Sequence, residues 1–177
     1  MKHALTIAIT IMLSLSLPAY AEDLNYNLYQ LSANVEDEVD NDVMKVTLLA
    51  THQATLAAKA NQVVNEQMIP ALKMLKGTTG IKYETGNYQT HPIYQKQQIT
   101  GWKASQEITL RSTDFNQLST LVGTLQKTLK LSSMSFEVSK PVRQKAEQRL
   151  SVDALNLFKE RALLIQKTMG ASGYQVV

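Results

Sequence analysis

The sequence contains no cysteine among its 177 residues. The chain therefore forms no disulfide framework, offers no thiolate nucleophile and binds no metal through thiolate sulfur. The missing thiol also excludes a bacterial lipobox. With no covalent or metal cross-link, the fold must be stabilised by side-chain packing alone.

Glycine and proline are also scarce, at seven and four residues. No GxGxxG, Walker or GxSxG motif is present, so neither a nucleotide site nor a nucleophile elbow is indicated. The three histidines, His3, His52 and His91, are far apart and form no HxH or HxxxH pair. We therefore predict no catalytic residue, no cofactor and no metal site; a hydrolase is the least favoured alternative.

The charge is modest, with 18 basic and 15 acidic residues. No dense block of lysine and arginine interleaved with aromatics occurs, which argues against a nucleic-acid partner. The most acidic stretch is Glu36 to Asp42, EDEVDND. It lacks the glycine and the distal glutamate of an EF-hand loop, so a solvated turn is predicted there.

The first residues have the pattern of a secretory signal peptide. Lys2 precedes an apolar run from Ala4 to Leu17, and Ala19-Tyr20-Ala21 forms a small-x-small cleavage site. The alternative is a retained anchor, but the run is short for a membrane span. We predict a signal peptide at residues 1–21, cleavage after Ala21, and one domain at 22–177 with no further membrane span.

The clearest pattern lies between Ile99 and Thr113. From Trp102 to Leu110 the even-numbered residues are mostly apolar, and the odd-numbered residues from Lys103 to Arg111 are polar. A period of two over this length predicts a strand with one buried face and one wet face.

Other stretches predict the rest of a sheet. Leu24–Val35 and Val43–Thr51 are predicted to form a hairpin across the acidic turn. Two short strand pieces are predicted within Ile81–Tyr94, with Pro92 near an edge or bulge. These pieces would pair antiparallel with the strand that follows. Met134–Ser139 alternates again and predicts one more strand.

Three helices are predicted from apolar residues spaced three and four apart. The first is Ala54–Lys76, with Pro70 inside it and Gly77 after it. The second begins at Asp114, whose spacing to Gln117 is that of a capping box. The third runs from Pro141 towards Gly170, and its apolar stripe is Ala146, Leu150, Ala154, Leu155, Phe158, Ala162, Ile165 and Met169.

The predicted fold class is α+β. The element order is β-β-α-β-β-α-β-α, with a mostly antiparallel sheet and helices packed on one face. Four aromatic residues, Tyr83, Tyr88, Tyr94 and Trp102, lie near one predicted hairpin. They are explained either by cross-strand packing or by a binding or self-association surface.

Several stretches carry a family resemblance: Thr90–Tyr94, Ile99–Ser105, Leu110–Phe115, and the alanine-bearing last helix up to Gly170. On these residues the chain resembles the SIMPL-domain family of bacterial periplasmic proteins, which includes periplasmic immunogenic and oxidative-stress-related members. It departs from the family at Asn41-Asp42, where members often carry Pro-Asp. It also stops at Val177, where members usually continue into another strand, and a missing strand would leave a sheet edge open.

The resemblance implies a non-enzymatic periplasmic protein that forms homo-oligomers and contributes to envelope or oxidative-stress tolerance. It supplies no catalytic residue. The alternative function is a small-ligand or peptide-binding module that uses the tyrosine and tryptophan hairpin.

Overall fold

The computed structural model describes residues 27–177. The predicted signal peptide and the start of the first predicted strand lie outside these residues. The elements are β1 (Val43–Ala54), α1 (Ala57–Lys76), β2 (Lys82–Gln95), β3 (Gln98–Ser112), α2 (Phe115–Leu125), β4 (Lys130–Glu137) and α3 (Lys140–Thr168). The predicted α+β class is confirmed.

The sheet has four strands in the order β2-β3-β1-β4, and each neighbouring pair is antiparallel. β3, the strand that contains Trp102, lies inside the sheet between β2 and β1. Ala104, Ile108 and Leu110 on β3 are fully buried, whereas the odd-numbered residues between them are more exposed. The period-two prediction is therefore confirmed.

The hairpin between β2 and β3 has a two-residue turn. Lys96 and Gln97 both have positive φ, 46° and 66°, which matches the twist that two-residue hairpin turns need. β2 is one strand where two pieces were predicted. Its register with β3 shifts between Thr85 and Tyr88 and between Ile93 and Tyr94, so local bulges produce the interrupted sequence pattern.

α1 and α2 bury their predicted apolar faces. α1 begins at Ala57 because β1 continues to Ala54, three residues beyond the predicted strand end. At the start of α2 the Asp114 carboxylate accepts a hydrogen bond from the Gln117 backbone N–H at 2.9 Å. The Gln117 side chain donates to the Thr79 carbonyl instead, so only half of the predicted capping box forms.

The hydrophobic core lies between one face of the sheet and these two helices. Burying apolar side chains here is the main stabilising contribution, since no disulfide is available. Its buried residues are Met44, Val46, Leu48, Ala50, Ala60, Val64, Met68, Ala71, Leu75, Ile81, Ala104, Ile108, Leu110, Leu118, Val122, Leu125 and Leu129.

The prediction of a first strand over Leu24–Val35 is wrong for the residues that the structure describes. Residues 28–42, which we name the leading segment, form neither strand nor helix. The predicted hairpin with β1 is therefore wrong as well. The alternating residues Leu31, Ala33 and Val35 are half-buried, but no backbone partner pairs with them in the described sheet.

α3 presents the predicted face to a different neighbour. Most of its predicted stripe is half-buried, Ala162 is buried, and Leu155 and Met169 are exposed. No α3 residue belongs to the core cluster between the sheet and the other two helices. The helix starts at Lys140, so Pro141 occupies its second position. Contrary to the predicted packing, α3 therefore contributes no residue to the core cluster on the sheet. Residues 171–177 contain no strand.

Contacts divide the chain into two compact units. One is residues 33–160; the other joins residues 27–32 with residues 161–177. In the second unit the Arg161 guanidinium donates to the Ser32 carbonyl. No helix within residues 27–177 is long and apolar enough to cross a membrane.

Candidate interaction surface

Two of the four predicted aromatic residues contribute to packing. Tyr83 pairs with Leu110 and Trp102 pairs with Pro92 in the β2–β3 register. Both side chains are half-buried and pack against the core. Cross-strand packing, the first of the two explanations above, accounts for this pair.

The other two aromatics are more exposed. Tyr88 is 43% exposed, and its hydroxyl donates to the Asn61 carbonyl on α1 at 3.3 Å. Tyr94 is 62% exposed and pairs with Ile99 next to the hairpin turn. Tyr83 and Tyr94 are separated by roughly 36 Å along one strand, so the four aromatics do not converge on one patch.

A more extensive apolar surface lies on β4. Leu131, Met134 and Phe136 are 42%, 45% and 50% exposed. They pair with Leu48, Val46 and Met44 of β1, which are buried core residues, so they belong to the helix-bearing face of the sheet. Within the described chain, the Phe115 ring lies 5.3 Å from the Phe136 ring, tilted at 58°.

A bulge in β4 aligns these three residues. The register with β1 passes from Thr47–Ser133 to Leu48–Leu131, which leaves Ser132 as an extra residue. Leu131 and Met134 would otherwise point to opposite faces, since strand side chains alternate. The resulting spacing matches neither a strand nor a helix period, which explains why the sequence analysis missed this surface.

β4 also forms one edge of the described sheet. Its outer side presents backbone N–H and C=O groups without a strand partner in residues 27–177, and such an edge is a template for pairing with another strand. Lys130 is the only charged residue in its first seven residues. The edge therefore combines open hydrogen-bonding groups with an apolar face.

The leading segment is attached near the other end of β4. The Asp42 carboxylate accepts hydrogen bonds from the Ser139 backbone N–H at 2.6 Å and from the Ser139 hydroxyl at 2.7 Å. These bonds, the hydroxyl one first, lower the pKa of Asp42 below its usual value. Asp42 was predicted to lie in a solvated turn; it instead joins the start of β1 to the start of α3.

Further along, the leading segment lies beside α3. Asp37 forms an ion pair with Arg149. A shallow groove of about 470 Å³ is lined by residues 33–36 on one side and by Leu150, Ser151 and Ala154 on the other. The half-buried stripe of α3 in this unit thus faces an extended peptide, which is the contact that replaces the predicted helix-to-sheet packing.

The opposite face of the sheet is polar. Arg111 on β3 forms ion pairs with Glu84 on β2 and with Glu137 on β4, each at 3.2 Å. The Thr47 and Thr109 hydroxyls lie 3.3 Å apart beside them. Together these contacts connect all four strands, and partly exposed ion pairs contribute little individually.

No group of three or more histidine and acidic side chains within residues 27–177 could hold a metal ion. His91 shares a hydrogen bond with the Gln89 side chain at 3.0 Å. That contact links two residues on the same face of β2. The most developed surface feature is therefore the exposed edge and apolar face of β4.

Comparisons with known proteins give one extensive match. The family model described as "SIMPL: Protein of unknown function (DUF541)" matches residues 29–177. No curated protein matches the chain. Among solved structures, AtUAH in complex with glyoxylate is 17% identical with a TM-score of 0.33, over 53% of this chain and 26% of that chain.

Two other solved structures have similarly low scores. A tripeptidase from Staphylococcus aureus is 11% identical with a TM-score of 0.32, over 53% of this chain and 28% of that chain. The de novo designed protein Foldit4 is 10% identical with a TM-score of 0.29, over 55% of this chain and 99% of that chain. The chain thus spans about a quarter of the two natural proteins, and these likenesses support no argument about its activity.

Proposed function

Because the chain belongs to the SIMPL family (DUF541), whose model matches residues 29–177, we propose that it is an exported, self-associating protein that acts by contact and not by catalysis. Its place is the periplasm, after removal of residues 1–21. Its role is to contribute to envelope or oxidative-stress tolerance. The mass of the protein from a periplasmic extract tests the export: it should correspond to a chain that starts at Glu22.

One observation supports self-association above the others. Leu131, Met134 and Phe136 lie side by side on a strand that is also the edge of the sheet. Clustered exposed apolar residues on a folded domain are typical of interaction sites. An edge strand adds backbone hydrogen bonds that specify the register of a partner.

The test is the mass of the native assembly. Static light scattering on the exported protein, from about 1 to 100 µM, should give a mass above that of one chain, and this mass should fall on dilution by mass action. Phe136→Ser should lower the assembled fraction, because it removes the most exposed apolar ring of β4. Val152→Ser, on the exposed surface of α3, is the matched control and should leave it unchanged. A monomer at every concentration would contradict self-association.

The ligand-binding alternative has narrower support. Tyr94 and Ile99 form one exposed pair at the end of the β2–β3 hairpin. Tyr83 and Trp102 are engaged with the core, so a surface built from all four aromatics is not available without rearrangement. Self-association through β4 uses residues that are already exposed, and we therefore favour it.

A further inference from the structure

The sequence of the leading segment fits the edge of β4. Leu31, Ala33 and Val35 alternate with Ser32 and Asn34, which is the pattern of a strand with one apolar face. Nevertheless the segment pairs with no strand of the described sheet, and β4 lacks an outer neighbour there. A segment with a strand pattern and an edge without a strand are thus present in the same chain.

An antiparallel alignment matches the two in every position. Starting from Leu31 opposite Phe136, it places Ala33 opposite Met134. Allowing for the extra residue Ser132, as β1 does, it then places Val35 opposite Leu131. All three apolar residues of the segment thus meet the three exposed apolar residues of β4, and residues directly opposite each other share a face.

The polar residues match in the same alignment. Ser32 comes opposite Ser135 and Asn34 opposite Ser133, on the polar face of the sheet. Glu36 comes opposite Lys130, which is the one cation of β4. Opposite charges directly across a strand pair attract each other, so the Glu36–Lys130 pair favours this register over others.

The chain's own leading segment cannot reach this position without full extension. In the alignment Glu36 lies beside Lys130, whereas Val43 pairs with Glu137 at the other end of β4. The two points are roughly 25 Å apart, from seven residues of strand length and two strand spacings. Seven extended residues span at most about 25 Å, and Asp42 is already held by Ser139. A segment from another copy meets neither constraint, and it is therefore the occupant that the geometry favours.

We propose that residues 31–36 of one copy add as an antiparallel strand to the free edge of β4 in a second copy. This inference rests on the proposed self-association and names its contact. The donated segment gives up the shallow groove on α3, the partly exposed Asp37–Arg149 ion pair and the hydrogen bond from Arg161 to the Ser32 carbonyl. It gains backbone hydrogen bonds and covers Leu131, Met134 and Phe136, so the exchange increases the buried apolar area.

Cross-linking tests the contact directly, because the chain has no cysteine of its own. One preparation carries Ala33→Cys and another carries Met134→Cys; the two are mixed at assembling concentration and oxidised. A disulfide-linked heterodimer is expected. Ala33→Cys mixed with Tyr94→Cys is the control, because Tyr94 is exposed on β2 away from β4, and it should link at background level.

Two outcomes overturn the proposal. One is an assembling wild-type protein whose Ala33→Cys and Met134→Cys chains link no more than the control, which would leave self-association intact but place its contact elsewhere. The other is a doubly substituted chain that links within one molecule at high dilution, which would make the chain's own segment the occupant. A wild-type monomer, by contrast, removes the proposed function itself.

A charge exchange tests the register. Glu36→Lys and Lys130→Glu should each weaken assembly by roughly 2- to 5-fold, the range expected for loss of one exposed ion pair. The double variant should restore it, because the pair is re-formed with reversed signs. Two weakened single variants without rescue in the double variant would overturn the alignment.

Discussion

At the scale of single residues, Asp42 has the most specific contact outside the core. Its carboxylate accepts two hydrogen bonds from Ser139, at 2.6 and 2.7 Å. Ser139 in turn accepts, through its carbonyl, the first backbone bond of α3 from Arg143. Asp42 therefore determines where the chain enters β1 and where α3 begins. A charged acceptor makes these bonds stronger than neutral ones.

Replacing Asp42 by asparagine should lower the thermal stability and change its pH dependence. The pKa of Asp42 is lowered in the folded state, so its contribution is complete above the unfolded value near 4. It is lost as the pH falls through the lower folded pKa. The wild type should therefore lose stability below about pH 4 more steeply than Asp42→Asn.

Asp40→Asn is the control for that measurement. Asp40 lies two residues earlier in the same acidic stretch and is exposed. Thermal melts from pH 2 to pH 7 should show the steep acidic loss in this variant as in the wild type. Equal profiles for Asp40→Asn and Asp42→Asn would refute a special role for Asp42.

At the scale of elements, the sequence predicted the strands and helices whose buried residues repeat with the regular period of a strand or a helix. β3, α1 and α2 were found near the predicted bounds because their apolar residues repeat as a strand or helix face requires. The leading segment has a strand pattern too, but it pairs with no strand of the described sheet. Ala33 and Val35 instead line a groove with α3, and sequence periodicity does not specify which surface an apolar face will contact.

The surface of β4 could not be predicted for a related reason. Ser132 is an extra residue in the ladder, and a bulge depends on the neighbouring strand as well as on local sequence. The four aromatics show how distance along a strand matters. They are near in sequence, but Tyr83 and Tyr94 lie close to opposite ends of β2. Alternation and spacing along an extended strand determine such distances.

The position of α3 outside the core leads to a prediction with a matched pair of substitutions. Leu48 on β1 is fully buried, and Leu155 on α3 is 61% exposed. Leu48→Ala should lower the free energy of unfolding by roughly 2–5 kcal/mol, because it leaves a cavity. Leu155→Ala should change it by less than about 0.5 kcal/mol. Chemical denaturation at low protein concentration measures both, and equal losses would mean that α3 is part of the core.

At the scale of the whole molecule, self-association would make the stability of the folded chain depend on protein concentration. A chain without cysteine has no disulfide to restrict its unfolded state. In the proposed assembly only folded chains associate, so association stabilises the folded state. Its melting temperature should therefore rise with protein concentration. A 100-fold increase should raise it by roughly 5 °C for a domain of this size, and a reducing agent should have no effect.

Measuring the melting temperature of Lys130→Glu over the same concentration range shows whether the β4 contact causes the rise. Lys130 is exposed and lies outside the core, so the variant should melt like the wild type when dilute. At high concentration it should gain less, because the proposed contact with Glu36 of another copy is lost. Adding Glu36→Lys in the same chain should recover the gain. A melting temperature that stays constant over the 100-fold range in the wild type would show that the chain is stable as a monomer and that the exposed edge of β4 contributes nothing to its stability.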